Sequence, residues 1–401
     1  MKGKRNFTKK MGVLAHEIFM YVKLLVLITL VLTLAYFIFS NDSISGKVTV
    51  ISTVFVIPCI MVIGALLTLL AFWTQIDANE KIQKQFEFQQ FESQFFEMLR
   101  LHKENITEMK ITGYGRLLSY KFDDFKEMNL KSFKKAKETD LTQYVRYIEN
   151  RKVFYNMNVE LIACVKLITE KFLDLKNENK LSSKEKEEVL KLSYRIFFFG
   201  SKSDLIKGNE IISDDEVQKI KSHLNHIQDK HRKSFGDKNS FGKNNTTIYI
   251  KYKPFTGHEN RLGHYYRHLY ATVKYVIEKE KEGLFDYKKS REYLKLLRSQ
   301  MSNDEQILLY YNFLFGFGYN WDSSKSTISP TDNKNTSKGE KNQFLTKYRM
   351  LHNLPIDRVY EEVPSPRDVF KNYINDLGSI QEGFPTDHKL HEDDNLFEWD
   401  D

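Results

Sequence analysis

The sequence has 401 residues, of which 41% are hydrophobic, 28% are charged and only 7 are proline. These values exclude a low-complexity disordered chain and a collagen-like fibre, and the length allows one large domain or two ordinary ones with a sizeable core. Two cysteines cannot build a disulfide framework, which favours a reducing compartment, and a formal net charge of +8 favours anionic neighbours such as membrane lipid or nucleic acid.

Two long apolar stretches early in the chain predict a membrane hairpin. The first, at about 18–40, is interrupted only by Lys23, and the second, at about 48–73, contains no charged residue. Each is long enough for a membrane-spanning helix, and a kink at Pro58 is compatible with such a helix. Because only residues 41–47 lie between the two stretches, we expect a tight helical hairpin.

The charges that flank this transmembrane hairpin (18–73) predict its orientation. Residues 1–17 form a basic tail, and a basic tail favours the cytoplasmic side of a membrane. Two spans return the chain to its starting side, so we expect residues 74–380 to form a cytoplasmic domain and both termini to be cytoplasmic. A cleaved signal peptide is the alternative for the first stretch, but no A-x-A-like site follows it. Neither stretch contains Asp, Glu or His, which favours an anchor over an ion path.

The rest of the chain is predicted to be mainly α-helical, with at most a small β-hairpin. Apolar residues recur at spacings of three and four over 76–106, so an amphipathic helix should continue from the second span. Residues 246–252 (TTIYIKY) alternate apolar and polar side chains and give the clearest strand signal. Further helix starts are predicted by capping boxes, in which a serine is followed three residues later by a glutamate: Ser182 and Glu185, Ser213 and Glu216, Ser302 and Glu305.

Two polar segments interrupt or follow this helical pattern. Residues 322–342 are predicted to form a flexible surface insertion. Residues 381–401 form an acidic tail that contains Phe397 and Trp399, and we expect this tail to be disordered or to fold back on a basic patch. No internal repeat is detected.

The familiar phosphate-binding, hydrolase and metalloprotease motifs are absent from the sequence, so no cofactor and no metal are predicted. Chemistry-bearing residues concentrate instead in 257–276 (GHENRLGHYYRHLYATVKYV). On a helix at 100° per residue, Arg261, His264 and His268 share an arc of about 60°, away from an apolar stripe. Arg267 lies off both faces.

Three interpretations of this arc remain open. His264 and His268 have the i, i+4 spacing that allows two imidazoles to share a metal ion, although no third ligand is evident. Arg261 followed by His268 matches the loose pattern of HEPN-type ribonucleases, in which His acts as acid or base and Arg stabilises the phosphate without a metal. Alternatively, these side chains hydrogen-bond neighbouring helices or bind an acidic partner.

Three blocks of the sequence carry a resemblance to a known family: FESQFFEMLRLHKENI (91–106), RLGHYYRHLYATVKYV (261–276), and MSNDEQILLYYNFLF followed by FLTKYRMLHNLP (within 301–355). In order and content, together with the paired spans, they resemble the phage abortive infection (AbiC-like) family of bacterial membrane-anchored proteins. The resemblance implies location in the bacterial inner membrane and phage defence by halting the infected cell, without an agreed catalytic mechanism.

Candidate site residues are taken from these blocks. Arg261, His264 and His268 are the candidate catalytic residues, and the candidates for binding or relay are Arg267, Tyr270, His102 and Asn312. The leading hypothesis is a membrane-anchored defence effector or sensor that contacts membrane lipid, forms a homo-oligomer and responds to a phage component or RNA. A membrane-tethered ribonuclease and a non-enzymatic scaffold for an acidic partner are the alternatives.

Overall fold

The protein was analysed as a computed structural model. Its described residues are 2–41, 43–114, 147–234, 236, 240–322, 342–371, 374 and 396–398. The predicted insertion at 322–342 therefore lies outside the described residues except for its two ends, and so does the acidic tail except for Leu396, Phe397 and Glu398. The chain divides into two compact units, Met1–Gln94 with Lys279–Phe285 and Phe95–Glu278 with Asp286–Asp401.

The fold is mainly α, as predicted, and the described strands are very short. The α-helices are α1 (Lys2–Phe39), α2 (Ile44–Val50), α3 (Ile57–Glu108), α4 (Lys152–Lys176), α5 (Ser183–Phe199), α6 (Asp214–Lys233), α7 (Glu259–Lys281), α8 (Tyr287–Arg298), α9 (Asn303–Phe315) and α10 (Pro366–Val369). The strands are β1 (Lys110–Thr112), β2 (Tyr147–Glu149), β3 (Ser240–Phe241) and β4 (Thr246–Thr247). A π-helical stretch (Ile51–Val56) lies between α2 and α3, and 3-10 helices cover Gly318–Trp321 and Ile356–Arg358.

In the first unit, α1 and the α2–α3 region form a helical hairpin. The Thr29 hydroxyl and the Cys59 thiol lie 2.9 Å apart across it, and the Lys47 ammonium donates to the Phe37 carbonyl at 3.1 Å. Among the described residues, two stretches are long and apolar enough to cross a membrane by length and composition, Phe19–Phe39 and Ile44–Glu108. Many large apolar side chains of both stretches are exposed, including Leu30 (63%) and Ile60 (63%).

The π-helical stretch explains how this helix accommodates Pro58. Proline has no N–H to donate and its ring collides with the preceding turn of an α-helix. The wider π turn ends at Val56, immediately before the first turn of α3. Within the wide turn, the Ser52 and Thr53 hydroxyls donate to the Thr49 carbonyl at 3.0 and 2.7 Å. The wide turn thus lies directly before Pro58, where it relieves the collision between the proline ring and the preceding turn of the helix.

Helix α3 continues without interruption from the second apolar stretch to Glu108, which confirms the predicted amphipathic extension. Its aromatic stripe is buried only in its last part. Phe91 and Phe95 are at most 1% exposed, whereas Ile82 and Phe86 are 61% and 65% exposed. In the single chain, the apolar side chains in the first turns of this extension are therefore not buried.

The core of the second unit is built around α4, which packs against α5, α6 and α9. One face of α4 buries a continuous apolar stripe that includes Phe154, Leu161 and Phe172. All three predicted capping boxes are present, at the starts of α5, α6 and α9. Each satisfies backbone N–H groups that a helix start would otherwise leave without partners.

The predicted strand at 246–252 is corrected by the structure. Only Thr246–Thr247 pair in a ladder, antiparallel to Ser240–Phe241, and Tyr252 forms an isolated bridge with Gly113. The alternation nevertheless describes burial correctly, because Ile248 and Ile250 are at most 1% exposed while Tyr249 is 69% exposed. Within the described residues, the segment does not lie in a sheet that would pair its whole length.

Candidate functional site

The candidate site begins in the loop that leads into α7. Glu160 of α4 is fully buried and accepts three hydrogen bonds from this loop. The donors are the Tyr252 hydroxyl (2.5 Å), the Phe255 backbone N–H (2.6 Å) and His258 Nε2 (2.9 Å). Phe255 has a φ of 56°, a left-handed conformation that is unfavourable for a bulky residue unless the surroundings hold it. Glu160 therefore fixes both the conformation of the loop and the start of α7.

Other polar contacts hold the same loop from α6 and from the turn that follows α5. Gln228 of α6 donates to the Pro254 carbonyl at 2.6 Å, and the backbone N–H of Ser201 donates to the Phe255 carbonyl at 2.9 Å. At the far end of the loop, the His258 carbonyl accepts from the N–H groups of Arg261 and Leu262, which closes the first turn of α7. The position of α7 is thus determined by groups from three other parts of the second unit, which we call the body.

The predicted arc on α7 packs along the last turns of α3. Arg261 Nε donates to the Lys110 carbonyl at 2.7 Å, just past the end of α3. His264 Nε2 donates to the Asn105 side-chain oxygen at 3.2 Å, and His268 Nε2 donates to the Met98 carbonyl at 2.9 Å. As the chain advances along α7 its partners step back along α3, so the two segments are antiparallel. We call this row of three contacts the polar seam.

His102 lies inside the polar seam and is fully buried. Its ring is stacked on His268 with centroids 6.1 Å apart and contacts the Tyr265 ring at 5.3 Å. Within the described part of the chain, neither ring nitrogen has a hydrogen-bond partner. Burial, reinforced by His268 and Arg151, lowers the pKa of His102 to about 4. The histidine is therefore held neutral at physiological pH.

The seam connects through Tyr265 to the capping box of α9. The Tyr265 hydroxyl donates to Glu305 at 2.7 Å, and Glu305 also accepts from the Ser302 backbone N–H at 3.1 Å. Burial raises the pKa of Glu305, because the charged carboxylate loses its hydration. The capping residue thus has a tertiary role in addition to its local one.

The remaining sequence-predicted residues of α7 do not join the seam. Arg267 is exposed, as its position off both faces predicts. Tyr270 is half-buried; its ring packs against Trp321 at 5.4 Å and Phe344 at 5.3 Å, and its hydroxyl accepts from the Asn342 amide at 2.9 Å. Tyr270 therefore binds the segments at the two ends of the predicted insertion to the body.

Asn312 lies in the last turn of α9, against the glycine-containing turn that follows this helix. It is buried, and its amide donates to the Tyr194 hydroxyl at 2.8 Å. Gly316 and Gly318 both pass so close to Asn312 that no side chain fits: a Cβ at Gly318 would lie 2.5 Å from Asn312 Oδ1. This turn leaves Phe317 55% exposed beside a cleft of about 200 Å³. The cleft is lined by apolar side chains and by Glu188, Lys191, Arg195 and Lys207.

Replacing Gly316 with Ala is expected to destabilise the body by about 1–3 kcal/mol, because the added Cβ would lie 2.5 Å from Tyr194 Cε1. Gly263→Ala is the matched control. A Cβ at Gly263, within α7, meets nothing closer than 3.8 Å, and alanine favours a helix over glycine by about 1 kcal/mol. The free energy of urea unfolding of the solubilised protein should therefore fall for Gly316→Ala and rise for Gly263→Ala. Equal stability of the two variants would contradict the close approach at Gly316.

The arrangement limits the chemistry that the seam can perform as it stands. Proton transfer at His268 Nε2 would require release of the Met98 carbonyl, and a metal bound by the Nε2 atoms of His264 and His268 would have to displace a protein partner from each. Arg261 and His268 are seven residues apart, about 10 Å along the helix axis. In the described ranges, no group of three or more His, Cys, Asp or Glu side chains is placed to hold a metal ion.

The sequence reasoning missed the buried pair of Glu160 and His258. His258 lies in the selected segment but not on the arc, and Glu160 lies in a helix for which no site was predicted. A signal was nevertheless present. Glu160 falls within the apolar stripe of α4, between Met157 and Cys164, and a carboxylate there requires partners.

Comparison with known proteins identifies one family. Residues 257–322 match the family model described as "Putative phage abortive infection protein". Neither the curated proteins nor the solved structures contain a match to this chain. The matched segment covers α7, α8 and α9 and the turn around Asn312, and it includes six of the seven candidate residues, all except His102. The resemblance to phage abortive infection proteins is therefore confirmed over residues 257–322, and it supports a general role in phage defence.

Proposed function

We propose that this chain is a membrane-anchored phage-defence protein of a bacterium, whose helical body acts on the cytoplasmic side as the effector or sensor of abortive infection. The observation that carries the proposal is the family match over 257–322. The match covers α7, which supplies one side of the polar seam, so we assign the defence function to the body rather than to the hairpin alone.

The exposed apolar surface of the hairpin supports anchoring in lipid. Leu30 and Ile60 are typical of a continuous set of exposed apolar side chains on α1 and α3. A water-soluble surface rarely carries so large an apolar area, whereas the interior of a bilayer favours it. The basic residues of the N-terminal tail support a cytoplasmic position for that end.

Within this proposal, the polar seam serves as a relay. Helix α3 contains residues 57–73 of the second apolar stretch and also supplies Met98 and Asn105 to the seam. A change in α7, which lies in the family segment, would therefore act directly on the helix that enters the membrane. A ribonuclease at Arg261 and His268 remains the alternative, and it needs the seam to open before His268 can transfer a proton at Nε2.

The anchoring is tested by phage plating of cells that express the full chain. Leu30→Arg combined with Ile60→Arg should abolish protection and release the protein from the membrane fraction, because a charge near the bilayer centre costs about 2.5–3.5 kcal/mol per residue. Leu205→Arg is the matched control: this leucine of the body is also 60% exposed, and its replacement should leave protection unchanged. Failure of the unaltered chain to reduce plating of any phage in a broad panel would reject the defence function.

The role of the seam is tested in the same cells with Arg261→Ala combined with His268→Ala, and with exposed Arg267→Ala as control. Membrane potential and RNA integrity are followed during infection. The relay predicts that infected cells with the unaltered chain depolarise and keep intact RNA. It also predicts that protection is lost in the double variant and kept in Arg267→Ala. RNA loss without depolarisation would favour the ribonuclease instead.

A further inference from the structure

Three residues of the acidic tail, Leu396, Phe397 and Glu398, lie against the body and occupy a site of their own. Leu396 is 3% exposed and Phe397 is fully buried, although both follow a polar and acidic stretch of sequence. The tail was expected to be disordered or to meet a basic patch. These three residues instead make apolar and backbone contacts.

The site holds the backbone on both sides of Phe397. The Glu398 N–H donates to the His352 carbonyl at 2.7 Å, and His352 Nδ1 lies 3.3 Å from the Leu396 carbonyl oxygen. The Asn353 amide donates to the Glu398 carboxylate. A single residue, His352, thus binds the peptide groups before and after the buried aromatic side chain. Main-chain hydrogen bonds of this kind are one means by which a protein binds a peptide segment.

The side chain of Phe397 enters an aromatic cluster. Its ring lies 6.1 Å from that of Phe370, and Phe370 is stacked on Phe313 with centroids 5.7 Å apart. Phe313 belongs to α9, within the segment that matches the abortive infection family. The occupant of this site is therefore linked through Phe370 to α9, one of the helices in the matched segment.

We propose that His352, Asn353 and Phe370 form a peptide-binding site for a short Leu–Phe–acidic motif, and that Leu396–Glu398 is its resident ligand. Three features define the motif: an apolar residue, an aromatic residue that fills the cluster, and a carboxylate that accepts from Asn353. A partner protein that presents the same motif would compete with the resident segment. Because that segment is on the same chain, its effective concentration is on the order of millimolar, so a competitor gains access mainly when the segment is released.

The test uses a fluorescein-labelled peptide with the sequence of residues 391–401 (HEDDNLFEWDD) and detergent-solubilised full-length protein. Two variants open the site: deletion of residues 396–401, and Phe397→Ala in the full-length chain. Fluorescence anisotropy should show binding to both variants at least tenfold tighter than to the unaltered chain. A peptide with Ala in place of Phe397 should bind at least tenfold more weakly, and a scrambled peptide of the same composition should not bind.

Each other outcome overturns the proposal. Equal binding to the unaltered chain and to the opened variants would mean that the peptide binds at another site. Equal binding of the scrambled peptide would mean that charge attraction, and not the sequence of the peptide, causes the binding. No binding to variants that retain the circular dichroism of the unaltered chain means that the site does not recognise a separate peptide. If both variants unfold, Leu396–Glu398 is part of the core rather than a ligand.

Discussion

Replacing Glu160 with Ala is expected to destabilise the body by about 3–5 kcal/mol, a magnitude typical of removing one partner from a buried polar network. The substitution leaves the Tyr252 hydroxyl, the Phe255 N–H and the His258 ring without their shared acceptor. It also releases the left-handed conformation of Phe255 at the entrance to α7. Urea unfolding of the detergent-solubilised protein, followed by circular dichroism, measures the loss.

Two companion variants show whether the lost acceptor is responsible. Glu160→Gln preserves size but places an amide donor against donors, so it should recover only part of the loss. Glu178→Ala removes an exposed glutamate just past the end of α4 and should change stability by less than about 0.5 kcal/mol. A Glu160→Ala protein as stable as the Glu178→Ala protein would mean that the loop is held without Glu160.

The local features of this fold were predictable because a few consecutive residues determine them. Each capping box needs only a serine and a glutamate three residues apart, and all three are present in the structure. The shared face of Arg261, His264 and His268 follows in the same way from helical periodicity. Such features require no knowledge of what packs against the helix.

The partners of that face could not be predicted, because they lie far away in the sequence. Lys110, Asn105 and Met98 are separated from their partners on α7 by 151, 159 and 170 residues. Periodicity indicates that three polar side chains point the same way, but it does not distinguish solvent, substrate or a neighbouring helix. The structure supplies the neighbouring helix, which was the third of the interpretations left open.

The segment at 246–252 illustrates the same limit for strands. Alternation of side chains predicts which residues are buried, and Ile248, Tyr249 and Ile250 follow it. A strand also needs a hydrogen-bonding neighbour of matching length. Here the neighbour, Ser240–Phe241, is two residues long, so the ladder ends after Thr247 although the alternation of burial continues to Ile250.

His102→Leu is expected to remove most of the acid sensitivity that the polar seam confers. The pKa of His102 is about 4 in the folded protein, below its ordinary value of 6.5. Between these values the unfolded chain binds a proton that the folded chain does not, so the stability present above pH 6.5 is lost as pH falls towards 4. A difference of about 2.5 units corresponds to roughly 3 kcal/mol as an upper bound.

The measurement is the free energy of urea unfolding at pH 7 and at pH 4.5 for the unaltered chain and for His102→Leu. Leucine places no titratable group between His268 and Tyr265. Between pH 7 and pH 4.5 the free energy of unfolding should therefore fall by on the order of 2 kcal/mol less in the variant than in the unaltered chain. His264→Gln is the matched control, because exposed His264 occupies the same seam. Its acid sensitivity should remain close to that of the unaltered chain.

The behaviour of His102→Leu at pH 7 addresses why a histidine occupies this position at all. Among the described residues its ring has no hydrogen-bond partner, so burying an apolar side chain there should be neutral or stabilising. Selection for stability alone would favour an apolar residue at this position, so the buried histidine indicates a functional constraint. If His102→Leu is at least as stable as the unaltered chain but no longer protects cells from phage, the imidazole acts in the relay between α7 and α3. If protection persists, His102 is only a packing residue, and the relay depends on Arg261, His264 and His268.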